Sequence, residues 1–382
     1  LEKKKILCNL WTSLMSTKKD KFSKKDKLYM ELALDLAKSR EGHTGPNPSV
    51  GCVVVKNDKI ISIGQTSPNG RPHAEYNAIN NCHENMEGSK MYVTLEPCCH
   101  HGKTSPCTSA IIKSKVGEVI YSINDIDKRV NGKSKKILKS KKIIVKTGLL
   151  KEKITEFYNS YFYNKKNKLP FITGKIAISK NNLIYSKGNK KITNSLSDNF
   201  THLLRYKNDS IMVSCKTLNK DNSKLNCRLK SLKNFSPKRI ILDSKLDLNT
   251  KSYLFKTVKK DNTIIFYNEA KKSKIKEFKK NKITLIKLRI SKDKKLDLKI
   301  IFKKLYALGS RNILIEGGNE LTTYLVKKRL FNKFYLFKSK KILSKMVEYK
   351  EFTALKNLKQ NYKKRLNLKS DFGKDLITLY KN

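Results

Sequence analysis

His73-Ala74-Glu75, then Pro97-Cys98 and Pro106-Cys107, are the residues of this chain best equipped for chemistry. One imidazole and two thiolates can hold a Zn²⁺ ion on three sides and leave a fourth position for water. A water bound in that way loses a proton near neutral pH and becomes a nucleophile. Glu75 stands two residues past His73, close enough to relay the proton without being a ligand. Cys99 is too close to Cys98 to share a tetrahedral ion comfortably, so Cys107 is expected as the third ligand. The expectation is one zinc per chain on His73, Cys98 and Cys107, with Glu75 as general acid and base. A closed, purely structural Cys2His site is the bland alternative, and Glu75 argues against it.

These side chains need elements to carry them. Ser23 and Asp26 have capping-box spacing, and Leu28, Met30, Leu32, Ala33, Leu36 and Ala37 follow at helical period. Gly42, Gly45, Pro46 and Pro48 stop that helix and open a loop. Val50 to Val55 and Ile60 to Ile63 read as a hairpin turning near Asn57-Asp58. Pro72 suits a helix start at His73, where a helix N-terminus favours anions and low thiol pKa values. Met91 to Leu95 is a short strand that delivers Glu96-Pro97-Cys98, and Thr108 to Lys113 is a helix with Cys107 near its first turn. Val119 to Ile123 and Ile143 to Val145 add strands, so the class is α/β, helices on a mixed sheet.

The long form H-A-E followed by E-P-C-x-H-H-G-[KR]-T-x-P-C differs from the shorter P-C-x-x-C of many zinc deaminases of nucleobases. It closely resembles the deaminase half of the bifunctional deaminase–reductase of riboflavin biosynthesis. Asn47-Pro48-Ser49-Val50-Gly51-Cys52-Val53 is similar to that family's P-N-P-x-V-G segment. Asn124-Asp125 and Val130-Asn131-Gly132-Lys133 fall on its N-D-P and V-x-G-[KR]-G stretch, with the Pro missing and Ser134 in place of the last Gly. The resemblance implies a cytidine-deaminase-like domain over 23–148, a basic extension before it over 1–22, and a connector over 149–169.

From Pro170 to residue 382 the chain resembles the same family's reductase domain, of dihydrofolate-reductase-like fold. Phe171 to Ala177, Ile211 to Ser214, Arg239 to Leu242, Thr263 to Phe266, Ile283 to Ile286, Phe334 to Phe337 and Leu376 to Tyr380 read as strands. Ser195 to Tyr206 and Leu298 to Leu308 read as helices, the second capped by Asp297 and stopped by Gly309. Asn312 to Gly318 is a strand ending in a glycine turn before a helix to about Lys327, a place where bare backbone can approach a pyrophosphate. Ile192-Thr193, the Leu-Leu-Arg ending at Arg205, Thr217 to Arg228, Leu242-Asp243-Ser244 and Ile315 to Gly318 match the family's successive motifs. By that likeness NADPH is expected at Ala177, Lys191, Thr217, Asp221, Ser244, Gly317, Gly318 and Asn319. Substrate is expected at Asn189, Arg205, Leu225, Arg228 and Glu316, and at Asn47 in the first domain. Three departures stand out: Lys191 replaces an aromatic, Ser179-Lys180-Asn181-Asn182 replaces S-L-D-G, and Asn222-Ser223 replaces Asp-Pro.

The implied activity is zinc-dependent deamination of a phosphorylated diaminopyrimidinone ribotide, then NADPH-dependent reduction of its ribosyl chain. A deaminase with an impaired reductase half is one rival, and a tRNA or nucleotide deaminase with a basic accessory domain is another. A non-catalytic RNA-binding protein is a third. The 85 Lys+Arg against 32 Asp+Glu give a net charge of +53, which invites nucleic acid. The lysines are spread through every segment beside abundant Asn and Ile, the signature of A/T-rich coding, so nucleic acid is not expected as a partner. A basic surface still attracts phosphorylated ligands. The 382 residues suit two domains, and no apolar run approaches the ~20 residues that span a bilayer. Eight Cys without framework spacing point to a reducing, cytoplasmic setting, and a homo-oligomer is expected. The start at Leu1 makes a poor signal peptide, and the lack of an initiating Met suggests a truncated or misassigned start.

Overall fold

The computed structural model describes residues 21–102, 104–189, 191–258, 262–291 and 295–382. The basic extension expected over 1–22 lies almost wholly outside the described residues, as does Lys103. Two compact units are present. One takes the chain up to Arg40, Ser49–Ser67 and Arg71–Tyr158; the other takes Glu41–Pro48, Pro68–Gly70 and Asn159–Asn382.

The first unit opens with α1 (Lys24–Ser39). Ser23 and Asp26 cap it reciprocally: the Ser23 N–H donates to the Asp26 carboxylate at 2.8 Å, and the Asp26 N–H donates to Ser23 Oγ at 3.1 Å. Its apolar stripe, Met30, Ala33, Leu34 and Ala37, is buried. Strands β1 (Gly51–Lys56) and β2 (Lys59–Gln65) form the hairpin. Asn57 and Asp58 turn it with φ of 48° and 61°, the left-handed pair that matches strand twist. With β3 (Lys90–Leu95), β4 (Glu118–Ile123) and β5 (Ile144–Thr147), the sheet order is β2-β1-β3-β4-β5. β1 runs antiparallel to both its neighbours, and β3, β4 and β5 run parallel.

Helices α2 (Ala74–Asn80) and α3 (Cys107–Lys113) carry the reactive residues at their starts. Gly64 on β2 seats α2: a Cβ there would lie 2.1 Å from the Ala74 carbonyl oxygen. Only a bare backbone permits so close an approach. Helix α4 (Lys133–Ser140) follows β4, and α5 (Lys151–Phe157) closes the unit.

The second unit begins with α6 (Asn159–Asn167) and β6 (Phe171–Ile178). Then come β7 (Leu183–Ser186), α7 (Ser195–Tyr206), β8 (Ser210–Ser214), α8 (Cys215–Asp221) and β9 (Lys238–Leu242). Next are α9 (Tyr253–Lys256), β10 (Thr263–Tyr267), α10 (Lys272–Lys280), β11 (Thr284–Lys287), α11 (Leu298–Ala307) and β12 (Asn312–Ile315). The chain ends with α12 (Asn319–Lys327), β13 (Lys333–Lys338), β14 (Tyr349–Glu351), α13 (Leu355–Asn361), β15 (Lys364–Asn367) and β16 (Leu376–Lys381). Nine strands make one sheet, β11-β10-β9-β8-β12-β6-β13-β16-β15, and β7 pairs with β14 beside it. The run from β11 to β13 is parallel; β16 and β15 are antiparallel additions.

Both faces of this sheet are covered. Ile313 and Ile315 of β12 belong to one buried cluster, with Ile301 and Phe302 of α11 and Leu325 of α12. Leu314 between them joins the other, with Leu204 of α7 and Phe278 of α10. Alternation along a strand sends neighbours to opposite faces, so a parallel sheet needs two cores.

Candidate active site

β3 ends at Leu95 and its continuation carries Glu96-Pro97-Cys98; α2 starts beside His73, its N-cap; α3 starts on Cys107. Three segments far apart in sequence therefore bring one imidazole and two sulfurs together. His73 Nδ1 lies 3.6 Å from Cys98 Sγ and 3.4 Å from Cys107 Sγ. All three ligand atoms fall within 4.8 Å of one another, the one cluster among the described residues able to hold a metal ion. A tetrahedral zinc with bonds of about 2.3 Å to sulfur and 2.0–2.1 Å to nitrogen puts N and S roughly 3.5 Å apart. The donor set thus fits Zn²⁺ in both chemistry and spacing. Glu75 is 3 % exposed, on the first turn of α2, and is not one of the three converging donors.

Electrostatics in this cluster divide the two thiols. Cys98 is pulled down to about 4, chiefly by the hydrogen bond from the Cys107 thiol, with help from His73 and the Cys107 backbone N–H at 3.3 Å. Cys107 moves the other way: the Cys98 sulfur, burial and Glu75 all hold its proton on. The low thiol pKa expected at a helix start fails for Cys107, which begins α3; Cys98, past the end of β3, owes its low value to Cys107 and His73 instead. Two thiolates and a carboxylate cannot all ionise in one dry pocket without a cation. Burial lifts the Glu75 carboxyl to about 7, opposed by His73. A buried carboxyl beside the metal ligands is placed for general acid–base work.

Glu96, which the sequence placed in the Glu96-Pro97-Cys98 step without a role of its own, is a structural anchor here. Its carboxylate accepts backbone N–H bonds from Asp125 (3.3 Å), Gly132 (3.0 Å) and Ser134 (3.2 Å). The Ser134 hydroxyl donates to the Pro97 carbonyl at 2.6 Å. These four bonds stitch the 124–134 segment to the residues just before Cys98, and Ser134 fills the family's glycine position without strain. The Arg71 guanidinium donates to the Thr104 hydroxyl and ties the loop after Cys98 to the segment before His73. Asn47 donates from Nδ2 to the Gly70 carbonyl at 2.8 Å, inside the stretch that groups with the second unit.

In the second unit the C-terminal ends of β8, β9 and β12 lie side by side, and the glycine turn follows β12. Ligands of parallel sheets collect in such crevices. A Cβ on Gly318 would sit 2.7 Å from Thr217 Oγ1, and one on Gly317 would sit 3.0 Å from Thr322 Oγ1. Gly318 is the N-cap of α12 and Asn319 its first residue, so Thr217, Gly317, Gly318 and Asn319 stand together at a helix N-terminus, a place that favours anions. Ser244, exposed just past β9, accepts backbone N–H bonds from Asn268 and Glu269 at its carbonyl. Asp221 closes α8, and Asn222 after it takes a left-handed φ of 44°.

Arg205 of α7 reaches Glu316 at the end of β12 with two bonds, Nε to Oε1 at 2.6 Å and Nη2 to Oε2 at 2.8 Å. Two residues expected to grip substrate therefore hold each other. Lys175 on β6, missed in the sequence, belongs to the same electrostatic group: burial lowers its pKa, and Glu316 opposes that. A lone lysine within an apolar strand was the available signal. Leu225 is buried at 2 % exposure with φ of 53°, and Arg228 follows it in the same loop. Ala177, half-buried on β6, pairs with Phe337. The Asn189 N–H bonds the Ser186 carbonyl, and Lys191 is ion-paired to Asp198 at 2.5 Å. Those partners are not other expected site residues. The Ser179–Asn182 turn closes with the Asn182 N–H on the Ser179 carbonyl at 3.0 Å, and Asn182 takes φ of 64°, the left-handed region where the family's motif has glycine.

Residues 23–123 match the cytidine and deoxycytidylate deaminase zinc-binding region, and residues 180–369 match the RibD C-terminal domain. The chain is 32% identical to the riboflavin biosynthesis protein RibD of Aquifex aeolicus (strain VF5), over 93% of this chain and 98% of that one. It is 44% identical to a diaminohydroxyphosphoribosylamino-pyrimidine deaminase of Buchnera aphidicola subsp. Schizaphis graminum, over 38% of this chain and 99% of that one. Among solved structures, a diaminohydroxyphosphoribosylaminopyrimidine deaminase/5-amino-6-(5-phosphoribosylamino)uracil reductase from Thermotoga maritima superposes with a TM-score of 0.79 at 27% identity, covering 94% of this chain and 98% of that chain. The cytidine-deaminase-like and dihydrofolate-reductase-like halves, a zinc site and an NADPH-dependent reductase follow together: the chain belongs to the RibD family of bifunctional riboflavin biosynthesis enzymes.

Proposed function

We propose that the chain deaminates 2,5-diamino-6-(5-phosphoribosylamino)pyrimidin-4(3H)-one and then reduces the ribosyl chain of the product to ribityl. The observation that carries the first step is the pair of His73-to-sulfur distances, 3.6 and 3.4 Å, close to what a tetrahedral zinc demands. His73, Cys98 and Cys107 would hold the ion. When bound, it supplies the Lewis acidity that makes water a nucleophile near neutral pH. Glu75 takes the proton from the attacking water and passes it to the departing amine, which leaves as ammonia. Glu96 holds the 124–134 segment against the site, and Asn47 positions the substrate.

For the second step, Thr217, Gly317, Gly318 and Asn319 would cradle the pyrophosphate of NADPH, with Ala177, Lys191, Asp221 and Ser244 along the rest of it. When bound, NADPH supplies the hydride. Arg205, Arg228 and Lys175 give the substrate side an excess of positive charge over Glu316, which suits a ribotide phosphate. Asn189 and Leu225 complete that side, and the fold orients the reacting carbon toward the cofactor. We assign the deaminase to 23–148 and the reductase to 170–382, joined by 149–169.

The working compartment we propose is the cytoplasm, where reducing conditions keep Cys98 and Cys107 available as metal ligands; the seven described cysteines are all free of disulfides. Among the described residues no helix is long and apolar enough to cross a membrane. Exposed Ile342, Met346, Val347 and Tyr349 on one short segment support self-association. The scattered lysines support small phosphorylated ligands over nucleic acid.

The test incubates purified protein with the diaminopyrimidinone ribotide. Ammonia should appear without NADPH, and NADPH oxidation should begin only after ammonia release. Zinc-loaded protein that releases no ammonia from this compound would refute the substrate.

A further inference from the structure

We propose that His202 is a positioning residue of the reduction step: it anchors the Leu225–Arg228 segment and the Arg205 side chain in the arrangement that receives the phosphorylated substrate. This rests on the reading just given for Arg205, Leu225 and Arg228.

His202 and Arg205 sit three residues apart on α7 and so share a face of that helix. The backbone N–H of Arg228 donates to His202 Nδ1 at 3.3 Å. Arg205 Nη1 lies 3.5 Å from the same nitrogen and donates to the Asn226 carbonyl at 3.1 Å. One helix face thus ties down both Asn226 and Arg228. The N–H of Cys227, between them, donates to Ser236 Oγ at 3.2 Å.

The segment needs such ties. Leu225 holds φ of 53° with its side chain in the core, a left-handed conformation that a branched residue adopts only when its surroundings impose it. Released at Arg228, the backbone would relax toward ordinary φ and swing the Arg228 guanidinium away from Arg205 and Glu316.

The same contacts fix the state of the ring. Both neighbours of Nδ1 are donors, so Nδ1 offers a lone pair and the proton belongs on Nε2. Burial and the charges of Arg205 and Arg228 bring His202 down to about 4, against the pull of the Asn226 carbonyl and Glu316. A neutral ring keeps the acceptor available throughout the working pH range.

The experiment compares His202→Leu, His202→Gln and His202→Asn in the full-length enzyme. Asparagine sets an amide oxygen near the place of Nδ1 and keeps the acceptor; leucine removes it, and glutamine moves it one bond outward. NADPH oxidation is followed on product made beforehand by the wild-type enzyme with NADPH withheld. Leucine and glutamine should raise KM for that product about tenfold, the worth of a lost hydrogen bond in a charged cluster, with kcat little changed. Asparagine should restore KM to near the wild-type value. Hydrogen exchange over residues 222–229 should quicken in the leucine variant and not in the asparagine one. Ammonia release should be unchanged in all three, and a kcat for reduction near the wild-type value shows that the reductase unit itself is folded. An unchanged KM in the leucine and glutamine variants, or an asparagine variant as impaired as they are, overturns the anchoring role. A wild-type enzyme that releases ammonia yet never oxidises NADPH overturns the reductase reading itself, before any substitution is made.

Discussion

Replacing Glu75 by glutamine isolates the proton relay from everything else in the zinc site. The side chain is 3 % exposed and packed beside His73 and Cys107, so alanine would also leave a void. Glutamine keeps the volume and removes the ability to take up and deliver a proton. Glu75 is not among the three donors that converge within 4.8 Å, so the variant should bind zinc as the wild type does. General acid–base catalysis contributes about 10²–10⁴-fold, or roughly 2.7–5.4 kcal/mol of barrier. Ammonia release in the absence of NADPH should fall by that factor, with zinc content unchanged at about one ion per chain. Reduction of pre-made product should proceed at the wild-type rate. A zinc-loaded glutamine variant that deaminates within about tenfold of the wild type would remove Glu75 from the mechanism.

Three further outcomes follow from the same structure. Cys98→Ala should lose the zinc by elemental analysis and all ammonia release, while NADPH binding measured by fluorescence persists. Gly318→Ala sets a Cβ 2.7 Å from Thr217 Oγ1 and should raise KM for NADPH about tenfold without touching deamination. Asp209 gives a pH test of stability: burial raises its carboxyl to about 6 despite N–H donors on Asn312 and Arg311. A raised acid binds its proton more tightly when folded, so its contribution is full below about pH 4 and is lost as pH rises through about 6, at most roughly 3 kcal/mol. Asp209→Asn should flatten the melting temperature between those pH values; an unchanged slope would refute the assignment.

Much of this was legible in the sequence, and the reasons differ by element. Ser23 with Asp26, the Asn57-Asp58 turn and Asp297 before α11 announce themselves because their partners lie within four residues. The zinc donors were readable although they are distant from one another, since His-x-Glu and two Pro-Cys steps are chemically distinctive. Helices α4 and α10 stayed hidden: lysine takes four of eight positions in Lys133–Ser140 and five of nine in Lys272–Lys280, and each helix has only two apolar residues, Ile137 with Leu138 and Ile275 with Phe278, too short a stripe to show a period. Strands β7, β14 and β15 have three or four residues, too few to show alternation. The role of Glu96, and Lys175 and His202 altogether, were missed for a different reason. Each is an ordinary residue type whose meaning comes from chain far away, as with the donors to Glu96 that lie 29 to 38 residues on.

All three metal donors and the proton carrier come from one unit, while the glycine cradle and the Arg205–Glu316 pair come from the other. Damage is therefore partitioned. A lesion such as one at Cys98 leaves the reductase chemically intact, and one at Gly318 spares the deaminase. Two crippled alleles, one broken in each half, should between them keep a cell supplied with flavin precursor where neither suffices alone.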